Sequence, residues 1–96
     1  MKLVRYFDGG KVVVGEVKTI GLLKKRIEAS YLRPDIDPSL IRCLKRISEQ
    51  GYVEVLWPRL FEGGRAEEIV QIKPGSKYFW PAINDTIGLY GYGVEN

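Results

Sequence analysis

The stretch Asp37 to Val53, DPSLIRCLKRISEQGYV, limits the fold of this chain more than any other, because residue type sets its start, its stop and both its faces. The Asp37 carboxylate suits an N-cap, where it accepts from free amides of the first turn, and Pro38 suits the first helical position, where no amide donor is needed. Leu40, Cys43, Leu44 and Ile47 recur at i, i+3, i+4 and i+7, which puts them on one apolar stripe. Gly51 can adopt the left-handed conformation that stops a helix. The result is a helix of about three and a half turns. Its opposite face holds Ser39, Arg42, Lys45, Arg46 and Glu49, and is polar and mostly basic. Cys43 is the chain's single cysteine, so it forms no internal disulfide, and on this stripe it reads as a buried small hydrophobe.

Directly after Gly51, Tyr52 to Trp57 (YVEVLW) reads as a strand, and after a loop containing FEGGR a second strand runs from Glu67 to Lys73 (EEIVQIK). The two are expected to form a hairpin. The order helix, glycine, hairpin resembles the winged helix-turn-helix family of DNA-binding proteins, with LKRISEQGYVEV and IVQIKPGSKYF on either side of a glycine- and arginine-bearing wing. The resemblance covers residues 38 to 79. It implies a winged helix-turn-helix-like fold, and with the rest of the chain the expectation is an α+β single domain, 1–96, divided into an N-terminal β-hairpin (1–17), which departs from the common pattern of that family, two main helices (19–50), a C-terminal β-hairpin wing (52–73) and an aromatic, Gly-rich tail (74–96).

The function this resemblance implies is sequence-specific binding of double-stranded DNA, in the manner of a transcriptional regulator, with helix 38–50 in the major groove. Ser39 and Arg42, in the first two turns, would lie nearest the base edges, and Arg42 has the forked donors that match guanine O6 and N7. Lys45 and Arg46 would face the groove wall. Lys24, Lys25 and Arg26 of the preceding helix, with Arg59 and Arg65 flanking the wing tip, would contact phosphates. One short recognition helix has a small footprint, so a homodimer is expected, joined through the N-terminal hairpin or the aromatic tail.

Charge placement agrees with an acidic partner for the helical half. The formal net charge is +3, but residues 1–50 hold eleven Lys and Arg against six Asp and Glu, whereas residues 51–96 hold four against six. Grouped cations are the electrostatic footprint of phosphate binding, and equally of docking on an acidic protein. The same face therefore supports a second reading, a non-enzymatic interaction module that acts as adaptor or inhibitor of a larger complex. The balance of 45% hydrophobic and 28% charged residues is that of a soluble globular domain. MKLVRYFDGG lacks the apolar core of a signal peptide, so a cytoplasmic protein with no membrane partner is expected.

Ahead of the helices, Leu3 to Phe7 and Val12 to Val17 read as strands around the turn Asp8-Gly9-Gly10-Lys11. Val12, Val13, Val14 and Gly15 suggest a strand covered on both faces, or one completed by a second copy. Thr19 to Tyr31 is the first helix, with Ile20, Leu23, Ile27 and Tyr31 on one side. Gly21 costs about 1 kcal/mol relative to Ala, which favours a start at Leu22. The connection Leu32 to Ile36 exceeds the turn of a standard helix-turn-helix. Ile36 and Ile41 fit a hydrophobic staple; alternatively Ile41 meets a thymine methyl or a partner chain.

After the wing, Lys77 to Pro81 (KYFWP) suggests a short helix or arm packed on the core, or a dimer contact. Thr86 to Val94 (TIGLYGYGV) suggests a last strand beside the N-terminal hairpin, or an arm exchanged between subunits. Histidine is absent, which removes the commonest general base and zinc ligand. No phosphate-loop, dinucleotide or nucleophile-elbow motif occurs. No enzymatic activity, metal or cofactor is expected.

Overall fold

Asp8 and Gly9 both take positive φ, 40° and 77°. This is the twist a two-residue hairpin needs, and Asp-Gly is among the pairs that supply it. The computed structural model describes residues 1–30, 36–57 and 68–96, and this turn joins β1 (Lys2–Phe7) to β2 (Gly10–Glu16). Opposite Leu3 and Val4 of β1 stand Gly15 and Val13, so Val14 is an extra residue in β2, a β-bulge. β5 (Tyr92–Glu95) pairs antiparallel with the other side of β1, giving a three-stranded sheet in the order β2-β1-β5.

Cross-strand partners share a face. Leu3, Gly15 and Val94 therefore lie on one side with Arg5, Val12 and Tyr92, and this side joins the core through Leu3, Tyr92 and Val94. Lys2, Val4, Tyr6, Lys11, Val13, Gly93 and Glu95 share the outer side. The expectation that Val12 to Gly15 is covered on both faces does not hold, because β2 is an edge strand and Val13 is 55% exposed. At the opposite edge, Asn84 Oδ1 accepts from the Val94 amide at 2.8 Å, filling a main-chain donor that a further strand would use.

α1 (Ile20–Ala29) starts where the Thr19 hydroxyl accepts from the Leu22 amide at 3.1 Å. That cap outweighs the cost of Gly21, so the helix begins before Leu22. Leu23 and Ile27 are fully buried, while Tyr31 lies outside the described residues. α2 (Pro38–Gln50) has the expected bounds, with Asp37 as N-cap and Gly51 in the left-handed region at φ 83°. Leu40, Leu44 and Ile47 are buried under it, each contributing roughly 1.5–3 kcal/mol. Cys43, on the edge of the same stripe, is only half-buried, a correction to its expected enclosure.

β3 (Val53–Trp57) leaves α2 directly and pairs antiparallel with β4 (Glu68–Ile72), from Val53 opposite Ile72 to Trp57 opposite Glu68. The expected hairpin forms, and its strands put Val53, Val55 and Ile72 into the core. The connecting tip falls outside the described residues.

The expected tail, 74–96, holds a helix packed on the core, longer than the short one expected over Lys77 to Pro81, and the expected last strand. α3 (Phe79–Gly88) buries Phe79, Ala82, Ile83 and Ile87, spaced at i, i+3, i+4 and i+8, a helical stripe. Thr86, Ile87 and Gly88 therefore belong to α3, and the last strand is shorter than expected. It lies beside the N-terminal hairpin of its own chain, the first of the two places expected for it. The fold is α+β, with three helices and two antiparallel sheets among the described residues. No described helix is long and apolar enough to cross a membrane.

Candidate nucleic-acid interface

At about 100° per residue, the α2 stripe of Leu40, Leu44 and Ile47 fixes where every other side chain of the helix lies. Arg42, Lys45 and Glu49 fall opposite the stripe, and all three are exposed. Arg46 is also exposed and sits on the flank shared with Ser39 and Gln50, whereas Ile41 is on the other flank. None of Arg42, Lys45 and Arg46 forms a hydrogen bond or ion pair with a described residue. The ion pairs among the described residues instead join Met1 to Glu16 and Lys11 to Glu95, in the three-stranded sheet.

The entry to α2 is held tightly. Asp37 Oδ1 accepts from both the Ser39 amide and the Ser39 hydroxyl, each at 2.8 Å. These bonds favour the carboxylate and hold Asp37 below its usual range, first through the amide and then the hydroxyl, with a smaller contribution from the Arg42 charge. Ser39 Oγ also lies 3.2 Å from the Tyr90 hydroxyl. A serine hydroxyl has one proton and a carboxylate only accepts. Ser39 therefore donates to Asp37, and Tyr90 donates to Ser39. Ser39, expected at the base edges, is half-buried and has its hydroxyl committed to this chain of bonds.

The α1 cations are split by their helix. Lys25 points away from the buried stripe and is exposed. Arg26 turns towards the hairpin, where its Nε is 3.4 Å from the Glu16 carbonyl. Lys24 is half-buried on the opposite flank, one turn before Glu28. Glu28 lines a cleft whose other residues include Ile36, Ile41 and Arg42, so this flank of α1 borders the start of α2. Ile36 is buried, Ile41 packs against the same core, and both line this cleft. Arg59 and Arg65 lie outside the described residues.

Sequence reasoning did not find Tyr90 beside α2. Its place between glycines read as tail chemistry, and nothing local to it signals a contact with a residue 51 positions away. Among the described residues, no group of three or more His, Cys, Asp or Glu could hold a metal ion. What the surface offers is therefore cationic and hydrogen-bonding, on a helix fixed at both ends. Comparison with known proteins finds no matching family model, no matching curated protein and no matching solved structure.

Proposed function

We propose that this chain is a small sequence-specific DNA-binding protein of the winged-helix type, acting as a transcriptional regulator, with α2 in the major groove. The observation that carries this reading is the outward face of α2, where Arg42, Lys45 and Arg46 are exposed and form no ion pair with a described residue, while the opposite stripe is locked in the core. Unpaired guanidinium and ammonium groups on a rigid helix meet phosphate and base-edge acceptors without first breaking internal bonds. Arg42 is the base reader in this scheme. Ser39, committed to Asp37 and Tyr90, orients the helix entry. Lys25 is the phosphate contact of α1 that this geometry favours most, and in the same scheme the β3–β4 hairpin serves as the wing.

The test is retardation of a duplex DNA fragment in a gel at low salt. Wild-type protein is expected to shift the fragment, and the combined Arg42→Ala and Arg46→Ala variant to leave it unshifted while still folded by circular dichroism. Failure of the wild-type protein to shift duplex DNA at low salt rejects the reading. It would reassign the face to the other use of such cations, docking on an acidic protein surface.

A further inference from the structure

Leu89 is 92% exposed, the highest value among the exposed large hydrophobic residues described. It sits in the turn between α3 and β5, which is tied down on every side. Tyr90 donates its amide to the Ile87 carbonyl at 3.0 Å, Gly91 donates to the Gly88 carbonyl at 3.1 Å, and Tyr6 donates to the Gly91 carbonyl at 2.7 Å. The next side chain, Tyr90, reaches the second residue of α2 through its 3.2 Å contact with Ser39 Oγ. The turn is thereby fastened to the end of α2 that enters a major groove most deeply. An apolar side chain held on a fixed turn loses little freedom on binding.

Resting on the reading of α2 as the groove helix, we propose that Leu89 is a second specificity element, packing on the C5-methyl group of thymine beside the base pairs that Arg42 reads. The thymine methyl is the apolar feature of the major-groove edge and distinguishes A·T from the other pairs there. Position 89 is well suited to a clean test, because a side chain this exposed has almost no role in the fold.

The experiment measures binding of wild-type, Leu89→Ala and Arg42→Ala proteins to a short duplex in which dG·dC pairs alternate with dA·dT pairs, so that guanine stands beside thymine, and to the same duplex with dU in place of dT, which removes only the methyl groups. Wild-type protein is expected to bind the dT duplex about threefold to tenfold more tightly than the dU duplex, the effect of one buried methyl to methylene-sized contact. Leu89→Ala is expected to bind both duplexes alike, at the weaker level, with unchanged melting temperature. Equal wild-type affinity for dT and dU, or a Leu89→Ala loss of the same size on both, overturns the assignment of Leu89. If wild-type protein binds neither duplex, the groove-helix reading itself falls. Loss of binding in Arg42→Ala with no effect of Leu89→Ala leaves that reading standing and rejects the contact at Leu89.

Discussion

Lys11 Nζ lies 2.9 Å from Glu95 Oε2, a bridge from β2 to β5 that crosses the central strand β1 on its outer face. The register places Lys11 opposite Tyr6 and Glu95 opposite Lys2, so the bridge passes over Val4, which has no exposed surface although it lies on the side away from the core. The Tyr6 hydroxyl donates to the other oxygen of the same carboxylate at 2.9 Å.

These bonds shift all three groups. The Lys11 bond, then the Tyr6 bond, holds Glu95 below its ordinary value of 4.5. The Glu95 bond raises Lys11 above 10.5 and Tyr6 above 10.0. A lowered carboxylate contributes stability that is present above its unfolded value and is lost as pH falls through the folded one. The raised amine and phenol contribute stability that is present below their unfolded values and is lost as pH rises through the folded ones. The cluster's contribution is thus level between about pH 4.5 and pH 10 and declines on either side. Since the groups are exposed, it is modest and screened by salt. Glu95→Gln is expected to melt lower than wild type near neutrality and to converge with it in acid, once the wild-type carboxylate is protonated. A difference that is the same at about pH 7 and about pH 3 would mean that the charge of Glu95 contributes nothing.

Gly93 is where the outer face has no room. A Cβ there would lie 2.8 Å from Asn84 Oδ1 and 3.0 Å from Tyr6 Cε2. Asn84 is held in place by the Val94 amide, so it cannot retreat without losing that bond. Gly93→Ala should therefore cost about 1–3 kcal/mol, read from urea unfolding. The same change in an Asn84→Ala background should cost less, since the nearest clash is gone. Equal costs in the two backgrounds would show that Asn84 is not the obstacle.

How far these relationships could be read in the sequence depends on whether they are local. α2 was legible from end to end, since Asp37, Pro38 and Gly51 act on their own neighbours and Leu40, Leu44 and Ile47 keep helical spacing. The hairpins were legible for the same reason, Asp8-Gly9 in one and the alternation beginning at Val53 in the other. α3 was legible only as a short helix or arm over Lys77 to Pro81, because Tyr78, Phe79, Trp80 and Pro81 mask the spacing of Phe79, Ala82, Ile83 and Ile87 that extends it. Its N-cap, Tyr78, makes no capping bond with its side chain that could serve as a start signal. The Tyr90 contact with Ser39 and the Glu95 contact with Lys11 join residues far apart in sequence, and no periodicity encodes such pairs.

The half-buried state of Cys43 separates it from its neighbours on the stripe. Leu44→Ala removes a side chain with no exposed surface and should cost about 2–5 kcal/mol. Cys43→Ala should cost less than about 1 kcal/mol, and a small thiol reagent should label native Cys43 faster than the thiol of a fully enclosed residue would react. Equal destabilisation by the two substitutions, measured by urea unfolding, would place Cys43 as deeply in the core as Leu44.

If α2 lies in the groove, Arg42 and Lys25 should fail differently when truncated. Both are exposed and neither forms an ion pair with a described residue, so neither substitution should disturb the fold. Arg42, opposite the buried stripe and within the first two turns, would meet base edges. Arg42→Ala should cost about 1–3 kcal/mol on a preferred site and flatten the preference between sites. Lys25 points outward from a helix that does not enter the groove and would meet only phosphate. Lys25→Ala should weaken all duplexes alike and reduce the slope of log affinity against log salt by about one. The measurement is a fluorescence anisotropy titration of each variant on a preferred and a scrambled duplex at several salt concentrations. Small and equal effects of the two substitutions, or binding that ignores salt, would leave the basic face of α2 as a solvated surface only.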